Sequence, residues 1–134
     1  MLETPAGTKN VGAFVKHPIT FFNIGSADLI RFFHGKSRNS TRLDRLVSTN
    51  QPAVVSAIRE VLLGVKSSGR KLDVTLCGVL SSSRPFWPIA LILKETYPLA
   101  LSVPPARIPE VKYFMRRIAD RKDDLERVRT LLND

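Results

Sequence analysis

The pattern of apolar and polar positions predicts five extended segments. Residues 11–15 and 18–24 are dense in β-branched and aromatic side chains, which favour strands. In residues 72–80 apolar and polar side chains alternate, which is typical of a strand with one buried face. Two apolar runs follow at 89–93 and 99–103, and the turn-forming residues between them predict that these runs form a hairpin.

Helical spacing of apolar residues appears in four other segments. Ser26 is a suitable N-cap for a helix over residues 26–34. A short helix is predicted at 41–47, and a clearer one over 52–64 begins with a proline in its first turn. Residues 110–132 carry apolar side chains at a spacing near 3.5, which predicts one long C-terminal helix.

These elements predict an α+β fold. We expect a single domain in which an antiparallel sheet of three to five strands packs against helices, with the long helix at the C-terminus. A length of 134 residues suits one domain. Residues 1–10 are small and polar, so we expect a flexible N-terminus there and a single α+β domain over residues 11–134.

The charge balance points to an anionic partner. Lys and Arg total 21 against 12 Asp and Glu, which gives a net charge of +9. Such an excess favours polyanions such as nucleic acid or anionic membrane. It is concentrated in two polar segments whose arginine forks and flexible glycines suit phosphate binding. The first segment contains Arg31, Lys36, Arg38, Arg42 and Arg45, and the second contains Lys66, Arg70 and Lys71.

A proline-bounded segment places Arg84 beside Phe86 and Trp87. The two rings are suited to stacking on unpaired bases while Arg84 contacts a phosphate. The same rings are also suited to entering a lipid headgroup layer. In a third interpretation they cap the hydrophobic core.

Residues 51–61, with the sequence QPAVVSAIREV, resemble the recognition-helix stretch of LysR-type bacterial regulators. The resemblance covers about twenty residues and implies that Thr49, Asn50, Gln51, Ser56 and Arg59 face the major groove of DNA. The rest of the chain does not resemble such a regulator, and we assign no family from this segment.

Candidate catalytic groups are few. His17 and His34 are far apart, Cys77 is the single cysteine, and its strand position favours core packing. There is no phosphate-binding glycine loop and no metal-ligand spacing. The sequence therefore predicts no enzyme, no cofactor, no metal and no small-molecule substrate.

Without a disulfide, an apolar leader or a bilayer-spanning run, we expect an intracellular protein, cytoplasmic or nuclear, that is not secreted.

The resulting hypothesis is a small basic nucleic-acid-binding protein, RNA or DNA, that acts mainly through phosphate-backbone contacts. Self-association into a homo-oligomer is a secondary expectation from the apolar seam of the C-terminal helix. Two alternatives stay open on charge alone. One is a matrix-like peripheral protein that binds anionic membrane and self-assembles, and the other is a non-enzymatic adaptor for an acidic protein partner.

Overall fold

The structure, a computed structural model, describes residues 1–35 and 52–133. In chain order, the helices and strands are α1 (Pro5–Lys9), α2 (Val11–Phe14), β1 (Phe21–Gly25), α3 (Ser26–His34), α4 (Pro52–Ser67), β2 (Asp73–Cys77), α5 (Trp87–Thr96), β3 (Leu99–Leu101), α6 (Ile108–Ala119) and α7 (Lys122–Asn133). Short 3₁₀ turns lie at Leu80–Ser82, Arg84–Phe86 and Pro105–Arg107.

The three strands form one parallel sheet in the order β1-β2-β3. Phe22 pairs with Val74, which in turn pairs with Leu99. Leu2 adds an isolated parallel bridge to Ile24 beside β1. The expected antiparallel sheet is therefore wrong. The connections from β1 to β2 and from β2 to β3 contain helices and return the chain to the start of the next strand, as parallel pairing requires.

The predicted hairpin fails for a local reason. Residues 89–93 lie inside α5, where Pro88 occupies the first turn and suits a helix start. This helix is apolar on several sides: Trp87, Ile89, Ala90, Ile92 and Leu93 are all buried. A short run of apolar residues is common to buried strands and buried helices, so the pattern alone did not distinguish them.

Other predicted elements have mixed outcomes. The helix over 26–34 and the start of the helix at 52 are confirmed, and so are strands within 18–24 and 72–80. The predicted strand at 11–15 is wrong, because α2 occupies that position. The single C-terminal helix is also wrong: α6 and α7 are separate helices. The helix predicted at 41–47 lies outside the described residues.

The core lies on one face of the sheet. Ile24, Val74 and Leu76 from the strands are at most 1% exposed. They belong to one apolar cluster with residues of α3, α4 and α5, which include Leu29, Ile58 and Leu93. Residues that alternate with them along the strands are more exposed, and Phe21 is 63% exposed. Within the described residues, the helices therefore cover one face of the sheet.

The N-terminal residues also contribute to this core. Leu2 is buried, and Thr4 caps α1 by accepting a hydrogen bond from the Gly7 N–H at 3.0 Å. The division into a flexible segment at 1–10 and a domain at 11–134 stays a prediction. Over residues 1–35 and 52–133, the structure contains no helix with both the length and the apolar character to cross a bilayer.

Candidate functional site

A cleft lies where the three strands end. Gly25, Cys77 and Leu101 are the last residues of β1, β2 and β3, and parallel strands bring such residues to the same edge of a sheet. The cleft has a volume of about 640 Å³. It is lined by Ala27, Cys77, Gly78, Val79, Ser82, Ser102, Val103, Pro104 and Arg107.

Ser26 ties the first two strand ends together. Its hydroxyl donates a hydrogen bond to the Cys77 carbonyl at 2.6 Å and accepts one from the Leu80 N–H at 3.1 Å. Ser26 is fully buried, so its bond from the Leu80 N–H is shielded from water, and its bond to Cys77 is partly buried. The sequence predicted Ser26 as a helix cap, but Gly25 occupies the N-cap position and Ser26 joins two loops instead.

The loop after β2 needs a glycine at its start. Gly78 has φ 86°, in the left-handed region that side chains rarely adopt. A Cβ at this position would lie 3.0 Å from the Ser26 hydroxyl and 3.1 Å from the Ala27 nitrogen. The loop therefore passes very close to the first turn of α3, and this close approach forms one wall of the cleft.

Two further hydrogen bonds hold this loop. The Ser81 hydroxyl donates to the Gly78 carbonyl at 2.8 Å, and the Trp87 indole N–H donates to the Ser81 carbonyl at 3.1 Å. Trp87 is 0% exposed. The cleft wall is thus anchored in the core, which is the kind of support a binding site requires.

The polar groups of the cleft are suited to an anion. Arg107 supplies a guanidinium, and Ser82 and Ser102 supply hydroxyls. Ala27, in the first turn of α3, also lines the cleft, and the N–H groups at a helix N-terminus favour negative charge. Cys77 is partly exposed and is the one lining residue that carries a thiol, a group capable of proton transfer. No cluster of potential metal ligands occurs in the part of the chain that the structure describes.

Arg107 belongs to a three-residue charge cluster at the cleft wall. Its Nε lies 2.6 Å from Glu110 Oε2, and its Nη2 donates to the Ser82 carbonyl at 3.3 Å. Arg84 contacts the other oxygen of Glu110 through Nε at 3.0 Å and Nη2 at 2.6 Å. The hydrogen bonds from Arg84 are the main cause that lowers the pKa of the Glu110 carboxyl from its ordinary value. Burial opposes this lowering as the second-largest effect, and the charge of Arg107 adds to the lowering.

The structure describes only part of the first sequence-predicted basic segment. Lys36, Arg38, Arg42 and Arg45 lie outside the described residues. Arg31 pairs with Asp28 of its own helix at 2.6 Å.

The second predicted cluster lies near the amino ends of the strands, away from the cleft. The Lys66 ammonium is 5.5 Å from the centre of the Tyr97 ring, and Lys71 is exposed. Arg70 donates to the carbonyls of the segment before β1, at Val15, His17 and Ile19. Contact of these residues with an anion stays a prediction.

The predicted aromatic segment is divided between core and surface. Phe86 and Trp87 are 3% and 0% exposed, as in the core-capping interpretation. Arg84 is 61% exposed along its side chain and lies over the Phe114 ring, 4.4 Å from its centre.

The segment that resembles a LysR-type recognition helix also has a core-facing role. It forms part of α4, in which Val54, Ala57 and Ile58 are buried. Arg59 donates to the Leu132 carbonyl at 2.7 Å, so its guanidinium joins α4 to α7. Thr49, Asn50 and Gln51 lie outside the described residues.

Sequence reasoning missed the residues that line the cleft. Ser102 and Arg107 were given no role, and Cys77 was interpreted as core packing. A signal was present in Cys77 and Ser102, because each stands at or just after the end of a strand. Without the parallel topology, nothing in the pattern indicated that these strand ends meet.

The cleft lies at the carboxyl ends of parallel strands, which is where α/β proteins commonly bind their ligands. The family model described as "PEP-utilising enzyme, PEP-binding domain" matches residues 1–120, which include every residue of the cleft. The chain belongs to this family.

Curated relatives carry related names. A phosphoenolpyruvate-protein phosphotransferase of Borreliella burgdorferi is 28% identical over 117 residues, covering 87% of this chain and 19% of the relative. The Geobacillus stearothermophilus protein of the same name is 32% identical over 109 residues, covering 80% and 18%. A probable phosphoenolpyruvate synthase of Methanocaldococcus jannaschii is 31% identical over 85 residues, covering 63% and 7%. The chain thus spans less than a fifth of these relatives.

These findings correct the functional hypothesis. A nucleic-acid-binding role and a polyanion or acidic protein as partner are contradicted by membership in a family described as phosphoenolpyruvate-binding. The expectation of a non-enzymatic protein is contradicted because the relatives are named as enzymes. The expectation of no small-molecule substrate is also wrong, since the family description names phosphoenolpyruvate. Net charge did not separate the two classes of partner, because polynucleotides and the phosphoenolpyruvate named in the family description are both anions.

Proposed function

We propose that this chain binds phosphoenolpyruvate in the cleft at the carboxyl ends of β1, β2 and β3, as part of a phosphoryl-transfer enzyme. The observation that carries the proposal is that the matched family region contains the whole lining of the cleft. Both the phosphotransferase and the synthase relatives carry phosphoenolpyruvate in their names, so the proposal is limited to binding of this compound and transfer of its phosphoryl group.

The chemistry of the cleft supports this ligand. Phosphoenolpyruvate carries a phosphate and a carboxylate, and Arg107 and the α3 N-terminus are suited to hold one anionic group each. Ser82 and Ser102 add neutral donors at the same walls. A volume of about 640 Å³ is ample for a ligand of this size.

Cys77 has a chemical role in this proposal. When the phosphoryl group leaves phosphoenolpyruvate for its acceptor, the remaining enolate needs a proton at C3 to become pyruvate. The Cys77 thiol supplies that proton: the S–H bond breaks, a C–H bond forms, and the thiolate takes a proton back from water. We also propose an intracellular location, which is supported by Cys77 being the only cysteine.

The single cysteine gives a direct test of ligand position. Alkylation of Cys77 by iodoacetamide, a neutral reagent, is followed by mass spectrometry with and without phosphoenolpyruvate. At a ligand concentration ten times Kd we expect alkylation to slow about tenfold, because only the unoccupied fraction reacts. Sulfate at matched ionic strength serves as the control anion.

A matched variant separates protection from general effects on the reagent. The double substitution Cys77→Ser with Ser56→Cys moves the thiol to an exposed position of α4. Its alkylation should be independent of phosphoenolpyruvate. Isothermal titration calorimetry of the wild-type chain completes the design. Absence of binding heat contradicts the proposed substrate, whereas heat without protection of Cys77 contradicts the proposed cleft.

A further inference from the structure

A single carboxylate, Glu110, contacts two guanidinium groups at the cleft wall. Arg84 approaches Oε1 and Arg107 approaches Oε2, with closest distances of 2.6 Å in both cases. One negative charge lies between two positive charges, so the cluster keeps a net positive charge beside the cleft. A permanent surplus of this kind attracts an anionic ligand.

Arg107 is held in a way that leaves part of its fork unused. Its Nε lies 2.6 Å from Glu110 in an ion pair without the alignment of a hydrogen bond, and its Nη2 donates to the Ser82 carbonyl. The Arg107 side chain is 42% exposed. A guanidinium carries five N–H donors in one plane, so fixing two nitrogens sets the direction of the others. Because Arg107 lines the cleft, its remaining N–H groups are available to a ligand there.

Glu110 is itself fixed from the opposite side. Arg84 forms two hydrogen bonds to its Oε1, and the Arg84 guanidinium rests 4.4 Å from the centre of the Phe114 ring. Phe114 in turn lies 5.8 Å from the buried Trp87 ring. The chain of contacts therefore runs from the core through Arg84 and Glu110 to Arg107.

We infer that Glu110, held by Arg84, is a positioning residue that orients Arg107 to bind the phosphate group of a phosphate monoester in the cleft. The inference rests on the proposed function, because phosphoenolpyruvate is the phosphate monoester concerned. Arg107 contacts the ligand and Glu110 acts through it. Of the two arginines that contact Glu110, only Arg107 lines the cleft and reaches the anion.

A purely structural role for Glu110 is the competing explanation. Glu110 lies in the first turn of α6, where a carboxylate stabilises the helix, and it joins this helix to the Arg84 turn. That role alone predicts a change in melting temperature with ligand affinity unaltered in the folded protein. Positioning predicts a change in affinity and in the environment of the Arg107 side chain.

The experiment compares Arg107→Ala, Arg107→Lys and Glu110→Gln with the wild-type chain. Titration calorimetry with phosphoenolpyruvate and separately with inorganic phosphate gives Kd, and the ¹⁵Nε resonance of Arg107 reports its hydrogen bonding. We expect Arg107→Ala to weaken phosphoenolpyruvate binding about tenfold and Glu110→Gln about threefold to tenfold. Arg107→Lys should fall between, since it keeps the charge without the fork.

Glu95→Gln is the matched control. Glu95 contacts Arg129 at 2.7 Å near the start of β3, at the other edge of the sheet, so its loss should leave Kd unchanged. The Arg107 Nε resonance should move in Glu110→Gln and stay in Glu95→Gln.

The outcomes separate the two proposals. Wild-type binding that is unchanged in Glu110→Gln overturns the positioning role and leaves the proposed substrate intact. Binding of inorganic phosphate that depends on Arg107 and Glu110, without binding of phosphoenolpyruvate, overturns the proposed substrate. It supports phosphate binding by an Arg107 side chain that Glu110 orients. Binding of neither ligand overturns both.

Discussion

The two edges of the sheet hold arginines in opposite ways. At the carboxyl ends of the strands, the side chain of Glu110 forms ion pairs with two guanidinium groups, those of Arg84 and Arg107. Near the amino edge, Arg129 is held by two carboxylates, Glu95 and Glu126, and Arg70 donates to three backbone carbonyls.

The comparison teaches that the location of basic residues in the sequence is a poor guide to an anion site. Both edges are rich in arginine, but an arginine whose donors are used by the protein has little left for a ligand. Arg107 differs because part of its fork borders an open cleft. We therefore expect anion binding to follow unmatched charge and unused donors rather than the number of cations.

The largest effect on stability is expected at the carboxyl edge, from Ser26→Ala. The change leaves the Leu80 N–H and the Cys77 carbonyl without their partner in a fully buried position. We expect a loss of about 2 kcal/mol in the free energy of unfolding, because unsatisfied buried polar groups cost about 1–3 kcal/mol. Chemical denaturation monitored by Trp87 fluorescence measures it.

Ser56→Ala is the control for this substitution. Ser56 is exposed on α4, so the change should stay within about 0.5 kcal/mol of wild type. Equal effects of the two substitutions would show that the Ser26 hydroxyl does not join the ends of β1 and β2.

These predictions concern features that the sequence revealed unequally. The helix at 26–34, the start of the helix at 52 and the alternation in β2 follow from local periodicity, and they are found. The helix predicted over 52–64 extends to Ser67. Strand direction does not follow from periodicity, because it depends on how the intervening chain returns. Once residues 89–93 were interpreted as a strand, an antiparallel neighbour was the natural consequence, whereas their place in α5 makes β3 parallel.

The cleft was less predictable than the fold. Glu110 and Arg84 are 26 positions apart, and Ser26 and Cys77 are 51 positions apart. Such contacts arise only when the strands are in register and the loops are packed. The charge clusters were visible in the sequence, but the sequence does not show which cations are satisfied by the protein's own carbonyls and carboxylates, as Arg70 is.

At the amino edge, Arg70→Ala tests whether that arginine is structural. Its guanidinium holds the segment before β1 through the carbonyls of Val15, His17 and Ile19. Because Arg70 is exposed, we expect a loss of only about 1 to 2 kcal/mol in the free energy of unfolding, with phosphoenolpyruvate affinity unchanged. The exposed neighbour Lys71→Ala is the control for charge. A fall in affinity with unchanged stability would place the anion site at this edge instead.

The smallest expected effect is the pH dependence of the Glu110 cluster. Since hydrogen bonds from Arg84 hold the pKa of Glu110 below its ordinary value of 4.5, the folded state favours the carboxylate. The stabilisation is complete above the unfolded-state pKa and is lost as the pH falls through the lower folded-state pKa. The melting temperature of wild type should therefore exceed that of Glu110→Gln at neutral pH, and the two should converge in acid. Thermal unfolding between about pH 7 and about pH 3 measures this. Arg84→Gln removes the main cause of the shift, so the folded-state pKa of Glu110 moves closer to its unfolded-state value. The melting temperatures of Arg84→Gln and of the double variant Arg84→Gln with Glu110→Gln should therefore finish converging at a higher pH than those of wild type and Glu110→Gln. A difference between wild type and Glu110→Gln that persists at the acid end would contradict a charged Glu110 between the two arginines.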